Sequence, residues 1–125
     1  MGDIKYTKEH EWMCLDDDGH VTIGITDYAQ DQLGDIVYVE LPETGAEVTA
    51  GEEVAVVESV KAASDVHVPI NGKVVAVNEQ LEEEPELVNS SPEADGWFMK
   101  IAPSDPTELD MFMDKTAYED YLGSQ

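Results

Sequence analysis

The chain has 125 residues, which suits one domain with its own core, and 42% of them are hydrophobic, so intrinsic disorder is not expected. It has 29 acidic residues and only six basic ones, all lysines, and the formal net charge is −23. This balance excludes nucleic acid as a partner. A chain without arginine also lacks a bidentate clamp for phosphate, which argues against a free nucleotide substrate.

Cysteine content and hydropathy indicate where the protein works. The single Cys14 allows no intrachain disulfide, and no second cysteine or suitably spaced histidine pair accompanies it, so structural zinc is not expected. No apolar run approaches the roughly eighteen residues of a membrane span, and the opening segment lacks the apolar core of a signal peptide. We therefore expect a cytoplasmic protein with no membrane partner.

Short segments rich in β-branched and aromatic residues recur along the chain, separated by turn-forming residues. Such spacing is typical of an all-β sandwich or barrel. The predicted strands are HEWMCLD (10–16), VTIGIT (21–26), DIVYVEL (35–41), EEVAVVES (52–59), SDVHVP (64–69), KVVAVN (73–78) and GWFMKIA (96–102).

Turn and helix signals fall between the first predicted strands. Asp16, Asp17 and Asp18 predict a hairpin turn, because the downstream glutamate of a calcium loop is missing. The segment DYAQDQLG predicts one or two helical turns, with Asp27 as the N-cap and Gly34 as the C-terminal stop. We expect this helix to be a connector.

The C-terminal part of the chain is acidic and carries helix signals. Residues 79–95 predict an irregular crossing with a little helix. Asp105 is placed to cap a helix that has Pro106 at its first position, and Asp114 can cap a continuation. We therefore predict a C-terminal helical segment at about 105–122.

The stretch AVVESVKAASDVHV, residues 55–68, places Lys61 between two predicted strands. Its neighbours Val60 and Ala62 are small or uncharged, and Glu58 precedes it by three residues. A lysine at the tip of a β-turn is exposed and reachable. The sequence shows neither a clear second titratable partner for catalysis nor a GxGxxG, Walker, GxSxG or HExxH motif.

Segments in order over nearly the whole chain carry a family resemblance: KYTKEHEW, GITDYAQDQLGDIVYVELPETG, ESVKAASDVHVPINGKVVAVNEQL, PELVNSSPEADGW and AYEDYL. Together they resemble the glycine cleavage system H proteins. The most specific is ESVKAASD, in which the family carries lipoic acid in amide linkage on the lysine, here Lys61. Biotin carriers have a similar fold but centre on Met-Lys-Met, which Val60 and Ala62 do not match.

The resemblance implies a mainly β fold, a barrel-sandwich hybrid of two antiparallel sheets like that of lipoyl and biotinyl carriers, in one domain over residues 1–125. It also implies a carrier and not an enzyme, because the cofactors supply the chemistry. The arm on Lys61 would take an aminomethyl group from glycine decarboxylase (P protein) to the tetrahydrofolate-dependent aminomethyltransferase (T protein). Its dithiol would then go to dihydrolipoamide dehydrogenase (L protein). A lipoate-attaching enzyme would be the fourth partner.

The resemblance further implies a cleft that holds the loaded arm. The acid of HEW, the residue before LG and the aspartate of SD correspond here to Glu11, Gln32 and Asp65. Two carboxylates suit the ammonium of the loaded arm. Many relatives have a histidine where this chain has Gln32.

Three other residues are candidates for recognition by the lipoate-attaching enzyme. Gly45 and Gly72 match glycines near the modified hairpin of lipoyl domains in 2-oxoacid dehydrogenases, although simple turn glycines explain them equally well. Glu58 is the third, as the acid on the incoming strand.

Two alternative functions stay open from the sequence. An H-like protein could relay its lipoyl group to other enzymes or serve a sulfur-handling pathway, and an interaction module would leave Lys61 unmodified. The acidity also needs a cause. Because the acids are spread along the chain and not clustered, they favour a salt-rich cytoplasm over a single basic partner.

Overall fold

A computed structural model describes residues 4–16 and 18–123. Its strands are β1 (Ile4–Tyr6), β2 (Glu11–Leu15), β3 (Val21–Ile25), β4 (Ile36–Glu40), β5 (Glu47–Val48), β6 (Glu53–Ser59), β7 (Ala63–His67), β8 (Gly72–Val77) and β9 (Met99–Pro103). Its helices are α1 (Asp27–Leu33), α2 (Gln80–Glu83), α3 (Leu87–Ser90), a 3₁₀ helix (Pro106–Met111) and α4 (Lys115–Gly123).

The strands form two antiparallel sheets. The larger sheet has six strands in the order β1-β2-β3-β9-β8-β5, and the smaller has three in the order β4-β6-β7. Every pairing is antiparallel, and the central strand of the smaller sheet, β6, forms a hairpin with β7. The hairpin that contains Lys61 therefore belongs to the smaller sheet.

The main core lies where inward-facing side chains of both sheets meet. Apolar and polar side chains alternate along β6, so that one face of the strand points into the core. Ala55 and Val57 are buried there, while Glu58 is exposed. The two short helices α2 and α3 each bury one apolar residue, Leu81 and Val88. The largest side chains in this core with no measurable exposure are Phe98, Met13, Ile23, Ile70, Leu81, Met99 and Ile101.

A second apolar cluster joins the C-terminal helix to the larger sheet. Tyr6, Trp12 and Tyr118 are its buried members. The rings of Tyr6 and Tyr118 stack with centroids 4.6 Å apart and planes inclined by 6°. The Tyr6 backbone exchanges hydrogen bonds of 2.7 and 3.1 Å with that of Met113. These contacts hold α4 against β1.

The structure corrects one predicted helix cap and refines another. The N-cap of α1 is Thr26 and not Asp27: the Thr26 hydroxyl accepts the Ala29 N–H, and the Thr26 backbone is extended at φ −79° and ψ 166°. The Asp27 N–H instead donates to Glu93 at 3.0 Å. Asp105 is a cap as predicted, but the helix that follows it is 3₁₀.

The predicted end of α1, the predicted Asp114 cap and part of the predicted turn are met within the described residues. Gly34 ends α1 with a positive φ of 84°, and the Asp114 carboxylate accepts the Ala117 N–H in the first turn of α4. Asp16 and Asp18 lie in the turn between β2 and β3, whereas Asp17 lies outside the described residues. No helix in the described ranges is long and apolar enough to cross a membrane.

Candidate functional site

Lys61 lies at the tip of the β6–β7 hairpin and is exposed. Ser59 closes this turn: its N–H donates to the Ala62 carbonyl at 2.8 Å, and its hydroxyl oxygen lies 3.1 Å from the N–H groups of Lys61 and Ala62. The small residue after the lysine leaves its side chain uncovered. The turn therefore presents a primary amine on a fixed backbone.

The hairpin tip is tied to the end of α1. The Val60 N–H donates to the Asp35 carbonyl at 3.0 Å. A Cβ placed on Gly34 would lie 3.2 Å from Cε of Lys61, so the aliphatic stem of the lysine runs across this glycine. Asn89 fixes the same segment, because its side chain accepts the Ile36 N–H and donates to the Gly34 carbonyl.

A cleft of about 190 Å³ brings the three predicted arm residues together. Glu11 begins β2, Gln32 is in the last turn of α1, and Asp65 lies on β7 of the lysine hairpin. All three line this cleft, together with apolar side chains that include Leu33 and Val57. An exposed lysine on the same hairpin and an acid-lined cleft behind it form one candidate site.

Glu11 is the buried acid among the residues that line this cleft, with 4% of its surface exposed. Its oxygens accept the His67 N–H at 3.1 Å and the Thr7 hydroxyl at 3.3 Å. Burial raises the pKa of Glu11 to about 7, while these two hydrogen bonds act in the opposite direction. A cation in the cleft would favour the ionised form of Glu11. Asp65, in contrast, is exposed.

His10 also lines the cleft, although it is not among the residues predicted from the sequence. Its backbone has a positive φ of 69°, which is unusual for a residue with a side chain. Its Nδ1 lies 2.7 Å from the Tyr118 hydroxyl of α4, and its ring packs on Tyr28 of α1 with centroids 4.4 Å apart. Burial lowers the pKa of His10. The neutral ring thus connects the C-terminal helix to the cleft wall.

The predicted recognition residues lie in two different sheets. Glu58 is exposed on β6 and pairs with Tyr38 of β4 and Ala63 of β7, next to the hairpin tip. Gly45 and Gly72 lie at the β5–β8 edge of the larger sheet, where Gly72 pairs with Val48. A Cβ on Gly72 would stand 2.4 Å from the Ala102 carbonyl oxygen, so packing alone requires glycine there. The part played by these residues in recognition stays a prediction.

The described part of the chain has no candidate metal-binding cluster. Across residues 4–16 and 18–123, no three His, Cys, Asp or Glu side chains are grouped so that they could hold a metal ion. The groups that distinguish the site are the amine of Lys61 and the carboxyls of the cleft.

Comparison with known proteins decides the family. The family model for the glycine cleavage H-protein matches residues 4–125. The chain belongs to this family. A glycine cleavage system H protein from Teredinibacter turnerae is 60% identical over 116 residues, covering 93% of this chain and 89% of that protein. One from Shewanella frigidimarina is 54% identical over 98% of this chain and 95% of that protein.

Solved structures agree with the family assignment. A crystal structure of a glycine cleavage system H protein from Mycobacterium marinum matches with a TM-score of 0.88 and 35% identity, covering 98% of each chain. The predicted barrel-sandwich fold is confirmed by this neighbour. The chain is a lipoyl carrier of the glycine cleavage system, and its partners lie within that system.

Proposed function

We propose that Lys61 is the lipoyl attachment residue of this carrier. One observation supports the proposal above all: Lys61 is exposed at a hydrogen-bonded hairpin tip, and the cleft lined by Glu11 and Asp65 opens on the same hairpin. A lysine with a free path to solvent can enter the site of a modifying enzyme. The same hairpin can afterwards place the extended arm against the cleft.

Different residues of the chain would attach the lipoyl arm and hold it. When bound, the lipoyl group would supply the dithiolane that takes up the aminomethyl group, and the dithiol left after transfer of that group would be reoxidised. Lys61 supplies the tether, and the stem of its side chain already runs over Gly34 toward the end of α1. Glu11 and Asp65 provide negative charge for the ammonium of the loaded arm, and Gln32 offers an uncharged amide beside them. We therefore assign no catalytic residue to this chain and propose that it is not an enzyme.

The proposed partners follow from this assignment. Glycine decarboxylase would load the arm, the tetrahydrofolate-dependent aminomethyltransferase would unload it, and dihydrolipoamide dehydrogenase would reoxidise it. A lipoate-attaching enzyme would modify Lys61 beforehand. We also propose that residues 1–125 act as one lipoyl-carrier domain and that the protein works in the cytoplasm.

We further propose that the protein is adapted to concentrated salt. Its formal net charge is −23. Among the described residues, one salt bridge involves a lysine. It joins Lys100 Nζ to a carboxylate oxygen of Asp16 at 3.3 Å. The remaining acids must therefore be offset mainly by cations from solution.

Exchange of bicarbonate carbon into glycine, with purified glycine decarboxylase, tests the carrier role directly. Lipoylated wild-type protein should support exchange, whereas Lys61→Arg should not, because arginine keeps the charge but offers no amine for the amide bond. Lys73→Arg is the matched control, since Lys73 is exposed on β8 in the other sheet. Exchange supported by Lys61→Arg at the wild-type rate would contradict the assignment.

A further inference from the structure

Exposed apolar side chains occur at the hairpin tip and on the neighbouring strand β4. Exposed large hydrophobic side chains in the described part of the chain are Val37 (54%), Tyr38 (47%), Val60 (68%) and Met111 (74%). All but Met111 lie on β4 or at the tip beside Lys61. On a molecule with so many acids, exposed apolar groups gathered at one place mark a contact surface.

A β-bulge creates this surface. The β4–β6 register shifts between Ile36, which pairs with Ser59, and Tyr38, which pairs with Glu58. Regular pleating would send Val37 and Tyr38 to opposite faces of the sheet, yet both are exposed. Bulges re-aim side chains in this way and are frequent beside functional sites.

Strand pairing and a hydrogen bond connect this surface to the turn that carries Lys61. Paired residues point to the same face of a sheet, so the Tyr38 side chain lies beside that of Glu58 on the outer face. The Val60 N–H binds the Asp35 carbonyl just before β4, which keeps the tip against this strand. We define the tip surface as Val37, Tyr38 and Val60.

Acids surround the tip surface. Asp35, Glu40 and Glu58 are all exposed in the segments that carry it. A complementary partner would present apolar side chains at its centre and lysine or arginine side chains at its rim.

We propose that the tip surface is the docking site for the enzyme that forms the amide bond at Lys61. This inference rests on the proposed function of Lys61. The enzyme's reacting carbonyl must come within bonding distance of Nζ, so the enzyme must cover the hairpin tip. The enzymes of glycine cleavage act at the far end of the arm, so their chemistry does not by itself require contact with Val37 and Tyr38.

The attachment step itself requires this close approach. The uncharged Nζ of Lys61 forms a C–N bond with the lipoyl carbonyl of an activated acyl donor, such as an acyl adenylate. The bond from that carbonyl to the leaving group breaks, and the leaving group keeps the electron pair. Nζ gives up one proton, and no oxidation or reduction occurs.

A double variant tests the docking site. Val37→Ser with Tyr38→Ser removes the two side chains of the tip surface that lie on β4, and Met111→Ser removes an exposed side chain of the 3₁₀ helix as a matched control. Initial rates of lipoylation would be measured by intact mass, with a purified lipoate ligase, lipoic acid and ATP. We expect kcat/KM to fall at least about tenfold in the double variant, equal to about 1.4 kcal/mol, mainly through KM. The control should stay within about twofold of wild type.

Each other outcome has a definite meaning. A double variant lipoylated at the wild-type kcat/KM would overturn the docking site while leaving the carrier role intact. Failure of wild-type protein to accept lipoate at Lys61 would overturn both. The double variant, once fully lipoylated by long incubation, should support exchange with glycine decarboxylase normally. Normal lipoylation with impaired exchange would make glycine decarboxylase the occupant and refute the proposal.

Discussion

Glu11 is a deeply buried acid among the residues that line the cleft. Its pKa is raised by burial to about 7, from an ordinary value of 4.5. Because the folded state holds the proton more tightly than the unfolded chain, the contribution of Glu11 to stability is fully present below about pH 4.5 and is lost as the pH rises through about 7. Above about pH 7, the ionised and buried Glu11 lowers the free energy of unfolding by about 3 kcal/mol relative to its value below pH 4.5.

Glu11→Gln should therefore stabilise the protein at alkaline pH. The amide resembles the protonated carboxyl and has no charge to desolvate, so the free energy of unfolding of the variant should exceed that of wild type by about 2 to 3 kcal/mol at pH 8. At pH 4.5 the two proteins should be nearly equal. Chemical denaturation at both pH values, in one salt concentration, measures the difference. A gap that does not change with pH would contradict the buried-acid account.

We also expect the cleft acids to slow the release of the aminomethyl group from the loaded arm. With the aminomethyl group loaded, Glu11→Gln and Asp65→Asn should each release it faster without enzyme, because a charge-assisted contact is lost. Such contacts contribute about 1.5 to 3 kcal/mol when shielded and much less when exposed, so the buried Glu11 should matter more than the exposed Asp65. Release can be followed by mass spectrometry at pH 8. Equal release rates in all three proteins would mean that the arm does not rest there.

At the scale of elements, most strands could be predicted from sequence because their β-branched runs are long enough to show a pattern. Two could not: β1 has three residues and β5 has two. The cap of α1 was predicted one residue late because Thr26 and Asp27 are both good capping residues. Backbone conformation decided between them, and it is not visible in the sequence.

The candidate site was predictable only in part. The small residues around Lys61 and its place between two strands predict an exposed lysine from local pattern, whereas its lipoyl role came from family resemblance. Glu11, Gln32 and Asp65 meet only after the two sheets and α1 have packed, so they came from family resemblance. His10 was missed because its contact with Tyr118 joins positions 108 residues apart.

The edge formed by β5 and β8 provides an element-scale prediction. Gly72→Ala should lower the free energy of unfolding by about 2 kcal/mol, because its Cβ would stand 2.4 Å from the Ala102 carbonyl oxygen of β9. Gly45→Ala should cost about 1 kcal/mol, since φ is +97° but the space around a Cβ is open. Urea denaturation compares them. A Gly72→Ala protein of wild-type stability that is lipoylated slowly would instead support a recognition role.

At the scale of the whole molecule, the net charge of −23 must be screened by solvent. The run Glu82, Glu83 and Glu84 in and after α2 contains no base to offset it. The melting temperature should therefore rise steeply between dilute buffer and molar potassium chloride, beyond the gain that salt gives to any protein with a buried core. A midpoint that stays flat or falls would favour a basic partner as the cause of the acidity.

We expect Lys61, and no other lysine, to carry the lipoyl group. Intact mass before and after incubation with lipoate ligase, lipoic acid and ATP, followed by peptide mapping, measures this. The wild-type protein should gain one lipoyl group, located on the peptide that contains Lys61, and Lys61→Arg should gain none, although it should fold normally because the tip is exposed. Lipoate on Lys5, Lys8, Lys73, Lys100 or Lys115, or an unchanged mass of the wild-type protein, would contradict it.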